Sequence, residues 1–397
     1  MQTSSSSERR PRLLRITTAL VSLDKLLEGQ MRALREAGFE VLMCSADGAR
    51  RDAVIEREGC DHRAVAIPRG IAPLRDLPAL LRLRRVMRRF RPDVVFTQTP
   101  KAGLLGMLAA RQLGVPVRIH CWGGLRLEGS TGARRRLLLA TERLTARWAT
   151  HHLANSRHLQ QKLAELGVTT DALVLADGST NGVDLERFSR RAGDEEERAD
   201  RRSRLGVPAD ATLFLYLGRL VADKGIAELL AAFETLSQRD PRCHLLLVGD
   251  TEPRLDPLDP PTLERLETLD RLHRLPWVDD VRPCLLACDA LVHPSHREGV
   301  PNVVLQAGAL GRPVTCSDIA GNREALGDDR HGFVFAARDP AGLGAALEQA
   351  MSPQDRLDRG ALLQSSIRQR YDRRRVQEAV ARFCRDTLAG PSKAPSC

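Results

Sequence analysis

Three observations predict an α/β fold of two Rossmann-like lobes. The chain has 397 residues, more than one ordinary core holds and suited to two domains of roughly 180 residues each. Continuous apolar runs of strand length alternate with stretches of helical period, the pattern of parallel sheets covered on both faces. The alternation then pauses and restarts. Asn181-Gly182-Val183-Asp184 reads as a turn, residues 190–204 are highly charged, and a linker is expected near 182–195.

In chain order, residues 1–12 are Ser-rich and are expected to form a disordered tail. The apolar run 13–20 is broken by Arg15, Thr17 and Thr18 and is too short to cross a membrane, so it reads as a first buried strand. Further strands are expected at 40–44, 64–67, 93–98, 117–121, 152–154 and 172–175, with helices at 26–37, 78–90, 102–113 and 133–149 between them. The second series places strands at 212–217, 243–248, 290–293, 313–316 and 332–335. The lobes are thus 13–185 and 186–375, and a final helix within 376–390 is expected to cross back to the first lobe.

Nine cysteines are scattered without a paired framework. Cys284 and Cys288 share a helical spacing, but no second pair completes a zinc site, so the cysteines read as small buried hydrophobes in a reducing cytoplasm. The net charge of +10 is uneven, because residues 1–190 hold 32 Lys and Arg against 19 Asp and Glu. The densest run is Arg82, Arg84, Arg85, Arg88, Arg89 and Arg91, on a stretch that also carries Leu80, Leu81, Leu83 and Met87; Arg134, Arg135 and Arg136 open a second. Such a face suits an anionic membrane surface, a phospholipid-linked acceptor or nucleic acid. Arg outnumbers Lys 56 to 5, so it also suits a merely solvated face in an Arg-rich protein. No nucleic-acid reading module is present, and nucleic acid is not expected as a partner.

Two segments carry the chemistry. Gly218-Arg219-Leu220-Val221-Ala222-Asp223-Lys224-Gly225 follows the first strand of the second lobe and precedes a helix. Gly218 lets the chain turn, and Arg219 and Lys224 are held beside a helix amino terminus, a combination that attracts phosphate. The spacing does not fit a P-loop. The second segment, Pro294-Ser295-His296-Arg297-Glu298-Gly299-Val300-Pro301-Asn302, joins a strand to a helix whose first amides can receive phosphate or sugar oxygens. Glu298 is an acceptor for hydroxyls, and Gln306 lies one turn into the helix.

These segments, with Gly29-Gln30-Met31-Arg32-Ala33-Leu34, Thr97-Gln98-Thr99-Pro100-Lys101-Ala102-Gly103 and Asn181-Gly182-Val183-Asp184, give the chain a resemblance to the retaining glycosyltransferases of bacterial family four. The resemblance covers about residues 12–390 and is closest to the subgroup making capsules, exopolysaccharides and O-antigens. It implies the GT-B architecture, two lobes facing each other across a cleft, with an acceptor-binding first lobe and a nucleotide-sugar-binding second lobe. It assigns Arg219 and Lys224 to the donor diphosphate and Glu298 to the donor sugar. Gly218, Gly299, Val300, Pro301, Asn302 and Val278 are implied against the donor, and Gly29 is expected near its diphosphate. Lys101, at a helix start, is a candidate for an acceptor phosphate. Two positions depart from the family. Gln306 stands where the second of its paired glutamates is usual. Gly123 stands where many members carry His, with His120 three residues upstream in a strand.

The resemblance implies a UDP-sugar donor, a lipid-diphosphate-linked sugar acceptor and a cytoplasmic enzyme, peripheral on the inner membrane face. Neither a cofactor nor a metal is expected, since no acidic metal-binding motif sits in a strand-end loop and Asp279-Asp280 reads as a helix cap. Two alternatives stay open. A nucleotide-sugar epimerase would share the diphosphate site but needs acid–base groups on the sugar. A non-catalytic binding subunit is suggested by Gly123 and Gln306 and opposed by Arg219, Lys224 and Glu298.

Overall fold

Each strand series closes into its own six-stranded parallel sheet. The structure is a computed structural model that describes residues 9–389 apart from 69, 71–72, 128 and 253–255. The first sheet holds β1 (Arg12–Ile16), β2 (Glu40–Ser45), β3 (His62–Ala64), β4 (Val94–Gln98), β5 (Val117–Trp122) and β6 (His151–Ala154), in the order β3-β2-β1-β4-β5-β6. The second holds β7 (Thr212–Leu217), β8 (Cys243–Val248), β9 (Leu272–Leu275), β10 (Ala290–His293), β11 (Val314–Ser317) and β12 (Phe333–Phe335), in the order β12-β11-β10-β7-β8-β9. Numbered within its own series, each sheet has the doubly wound order 3-2-1-4-5-6.

Alternation along each strand explains why both sheets are buried on both faces. Leu13 enters one apolar cluster and Leu14 and Ile16 the other; Leu213, Leu215 and Leu217 face one side of the second sheet, Phe214 and Tyr216 the other. Helices fill the layers and start on side-chain caps such as Ser156, Asp259, Asp339 and Ser352.

The chain divides into two compact units, Met1–Asn181 with Arg374–Cys397, and Gly182–Arg373. The last helix, Arg373–Ala389, buries Val380, Ala381 and Cys384 in the core beside β1, so it does return to the first unit.

Several expectations are corrected. Residues 182–195 are no free linker. Val183 pairs with the segment at Tyr371–Arg373 through backbone bonds of 2.8 and 3.0 Å, and the charged run continues as the helix Asp194–Arg204. Arg202 on that helix is buried against Asp289 at 3.0 Å, and Asp194 holds Arg282 at 2.8 Å. Residues 1–8 lie outside the described residues. The rest of the expected tail is anchored, with Arg9 bonded to Asp93 at 2.8 Å and Arg12 opening β1. Residues 172–175 form no strand, only an isolated bridge from Leu173 to Leu153. Strand β9 was not expected: it is a half-exposed edge whose His273 and Arg274 break the apolar run.

Candidate active site

In a doubly wound sheet, ligands bind beyond the carboxyl ends of the strands where the order reverses. In the second unit that point lies between β7 and β10, and the two segments singled out in the sequence are the loops leaving those strands. Gly225 joins them. It ends the turn Ala222–Lys224 in the left-handed region at φ 70°, and a Cβ there would sit 2.2 Å from the Pro294 carbonyl oxygen. The approach is then zipped by polar contacts. The His296 amide donates to the Asp223 carbonyl at 2.9 Å, the Arg297 guanidinium meets the Asp223 carboxylate at 2.7 and 3.0 Å, and His296 Nε2 lies 2.8 Å from Glu228. Burial pushes the Asp223 carboxyl up, but Lys224, Arg297 and Arg219 outweigh it and hold it below its ordinary range.

Within this frame Lys224 Nζ lies 2.5 Å from Glu298 Oε1 and 3.5 Å from Ser295 Oγ. Arg219 is more open and pairs with Glu252 at 2.7 Å, while its carbonyl accepts from the Tyr216 hydroxyl at 2.7 Å. Burial lowers the Arg219 pKa, but Glu252, with smaller contributions from Asp223 and Glu298, raises it overall, so the cation is secure. The helix Asn302–Ala309 starts at Pro301 with no side-chain cap, and its first amides have no helical acceptors. Two side-chain cations, a carboxylate and a helix amino terminus therefore converge at one strand-end crevice. Such a set can bind a diphosphate and stabilise negative charge growing on it.

Behind Glu298 is a buried scaffold that the motifs alone did not disclose. His293 Nε2 is 3.7 Å from Glu298, and His293 Nδ1 is 2.9 Å from Asn322 Oδ1. Asn322 in turn donates at 3.0 Å to both Ser317 oxygens, and Ser317 Oγ donates to the Ser295 carbonyl at 2.5 Å. Burial, with Lys224 nearby, lowers the His293 pKa despite the opposing Glu298 carboxylate. Neighbouring Gly321 is required by close approach: a Cβ would sit 1.9 Å from the Gly299 carbonyl oxygen. Glu252 and Asn322 follow β8 and β11, the strands flanking β7 and β10, so the strand-end rule was the signal that could have found them once the sheet order was known.

The remaining second-unit residues divide. Gly218, Gly299, Val300, Pro301 and Asn302 lie on the two converging loops. Gln306 is half-buried and makes no side-chain hydrogen bond among the described residues. Val278, after β9, packs partly against the core. Asp280, expected as a cap, accepts from the Arg282 amide at 3.1 Å and also pairs with Arg187.

In the first unit three candidates are already engaged. The Gly29 amide donates at 2.8 Å to the buried carboxylate of Glu58, which occupies the amino terminus of the helix Gln30–Glu36, where a phosphate was expected. Lys101 pairs with Asp76 at 2.6 Å and donates to the Gly70 carbonyl. His120 is 1% exposed, bonded to Thr97 Oγ1 at 2.7 Å, edge-on to Trp122 and packed flush on Gly103. Burial lowers its pKa to about 3, so it is a neutral core residue and does not stand in for a histidine at exposed Gly123. Replacing His120 with Ala should cost about 1–3 kcal/mol of stability through the cavity and the lost hydrogen bond to Thr97. Below the resulting melting transition, kcat should stay within about twofold; urea unfolding and initial rates on one preparation check both.

Comparison with known proteins agrees with this geometry. The family model described as "Glycosyl transferase 4-like domain" matches residues 25–178, and that described as "Glycosyl transferases group 1" matches 211–352. The chain is 29% identical over 342 residues to the capsular polysaccharide biosynthesis glycosyltransferase CapM of Staphylococcus aureus, covering 84% of this chain and 87% of CapM. It is 27% identical over 340 residues to the UDP-Gal:α-D-GlcNAc-diphosphoundecaprenol α-1,3-galactosyltransferase of Escherichia coli, covering 82% and 85%. The solved structure of Anabaena HepE with UDP and glucose superposes with a TM-score of 0.78 at 20% identity, covering 94% of this chain and 99% of HepE. The matched stretches contain both strand-end loops of the second sheet and most of the first sheet, and the chain is a glycosyltransferase of the group 1 family with the GT-B fold.

Proposed function

We propose that this enzyme transfers a sugar, with retention of configuration, from a UDP-sugar to a lipid-diphosphate-linked sugar acceptor in surface polysaccharide synthesis. The observation that carries the reading is the convergence of Arg219, Lys224, Glu298 and the Asn302–Ala309 amino terminus. The names of CapM and of the E. coli galactosyltransferase support the pathway class, the donor and the acceptor. Retention without a positioned nucleophile fits front-face displacement. The acceptor oxygen forms the new bond to the anomeric carbon as the carbon–phosphate oxygen bond breaks, its electron pair leaves on the diphosphate, and the acceptor proton passes to that leaving oxygen. The protein's task is then to stabilise the diphosphate charge, for which Arg219 and Lys224 are aimed. Activity is expected to survive excess chelator, because these side chains supply the cations. Incubation with labelled UDP-sugars and an undecaprenyl-diphosphate-sugar, with the product's anomeric configuration read by NMR, tests the reading. Nucleotide-sugar interconversion without acceptor, or an inverted linkage, would contradict it.

Peripheral attachment to the cytoplasmic membrane face is part of the same reading. No described helix is long and apolar enough to cross a membrane. The helix Pro73–Phe90 buries Leu83 and Met87 but leaves Leu77 and Leu81, one turn apart, more than half exposed beside exposed Arg82, Arg85, Arg88 and Arg89. The helix Gly132–Trp148 likewise exposes Leu137 and Leu144 with Arg134, Arg135 and Arg136. Apolar side chains rimmed by cations suit insertion among anionic headgroups. Wild type should co-sediment with phosphatidylglycerol vesicles, less so at high salt. A variant with Arg82, Arg85, Arg88 and Arg89 changed to Glu should lose most of that binding; equal sedimentation would return the face to ordinary solvation.

Gln306 is assigned to the donor ribose. The change Gln306→Glu offers a charge-assisted acceptor, about twice as strong as a neutral one. UDP affinity should rise or hold while kcat changes little. Weaker UDP binding with a lower Tm would show instead a carboxylate buried without a partner.

A further inference from the structure

Among the described residues four arginines are at most 9% exposed, and two have a carboxylate partner. Arg202 meets Asp289, Arg282 meets Asp194, and Arg312 donates to the Leu285 and Leu286 carbonyls at the negative end of the helix Arg282–Ala287. Arg15, on β1, likewise has no carboxylate partner. At 1% exposure its guanidinium reaches only neutral acceptors: Gln30 Oε1 at 3.3 Å, the Phe96 carbonyl at 3.2 Å and Gln98 Oε1 at 2.7 Å. It also lies over the Phe96 ring, 3.8 Å from the centroid. No carboxylate among the described residues pairs with it, and burial lowers its pKa to about 10. A guanidinium has five N–H donors, so two are left over. A desolvated cation without a counter-charge is among the costliest arrangements in a protein interior.

Beside this guanidinium is a cavity of about 20 Å³ whose otherwise apolar lining carries the polar groups of Arg15, Gln30, Gln98, Ser179 and Thr180. Gln98 Nε2 donates to Thr180 Oγ1 at 3.2 Å, so the Thr180 hydroxyl proton also needs an acceptor. The cavity thus gathers unused donors around a net positive charge and has room for one particle of water size. We infer that it is a buried halide site, occupied by chloride, in which Arg15 supplies the charge and Thr180 a hydroxyl donor. A halide only accepts, which suits the surplus of donors. It would neutralise β1 from within and fasten Ser179–Thr180 and the cavity-lining Val376 and Val380 of the last helix to the first sheet.

The test uses the full chain at constant ionic strength. Sodium gluconate is replaced stepwise by sodium chloride or bromide while Tm is recorded. Wild type should show a saturating rise of about 2–4 °C. Arg15→Met should show none, and Thr180→Val should need several-fold more halide for the same rise. A crystal soaked in bromide should give an anomalous peak in the cavity, in contact with Arg15. This arm stands even if Arg15→Met fails to fold. A cavity holding only water after the bromide soak, or the same halide response in wild type and Arg15→Met, would overturn the inference.

Discussion

Replacing Lys224 with Ala is expected to lower kcat about 10²–10³-fold, a loss of roughly 2–4 kcal/mol of transition-state stabilisation, with a smaller loss for Arg219→Ala. The order follows from burial. Lys224 is only 14% exposed and sits 2.5 Å from Glu298, whereas Arg219 is 45% exposed and shared with Glu252. A cation in a desolvated crevice stabilises growing diphosphate charge more than one open to water. Loss of Lys224 also leaves Glu298 unpaired between His293 and the incoming donor, adding repulsion that Arg219→Ala does not. The effect should fall on kcat and kcat/KM together, because leaving-group charge develops in the transition state. Single-turnover rates with saturating UDP-sugar separate this from weaker binding. Near-normal rates for both variants would remove the pair from the chemistry.

Gly225→Ala is expected to destabilise the second unit by about 3 kcal/mol or more, a Tm fall of about 6–12 °C. Two costs add. The residue is held at φ 70°, and the new methyl would collide with the Pro294 carbonyl, whose backbone cannot swing aside as a flexible side chain would. Relief requires parting the two loops, which would break the Asp223–His296 and Asp223–Arg297 contacts and carry Lys224 away from Glu298. Activity should therefore fall even at temperatures where the variant is folded. Differential scanning calorimetry with a rate measured well below the transition checks both parts. An unchanged Tm would mean that the loops do not need this close approach.

The alternating apolar runs made both sheets legible because parallel strands buried on both faces advertise themselves without any partner. The candidate site at Gly218–Gly225 and Glu298–Asn302 was legible for a related reason: each stretch carries its own turn, cation or carboxylate locally. What stayed hidden depends on neighbours far away in sequence. Asn322 matters only because β11 lies beside β10, and Glu252 only because β8 lies beside β7. A strand position does not reveal which face is closed around His120; Gly103 and Thr97 close it. Lys101 and Gly29 looked free because Asp76 and Glu58, which occupy them, are distant in the chain. The charged run from 190 suggested a linker near 182–195 because its buried contacts are ionic, and charge at helical spacing does not announce that Arg202 and Asp194 face inward.

The donor diphosphate is expected to bind where β7 and β10 release their loops. The most direct measurement is a crystal structure of the full chain with UDP. The phosphates are expected within hydrogen-bonding distance of Arg219 and Lys224, at the amino terminus of the helix Asn302–Ala309, with Lys224 shared between a phosphate and Glu298. Phosphates lying instead against the Gly29 turn of the first unit, with Arg219 still on Glu252 and Lys224 still on Glu298 alone, would contradict it.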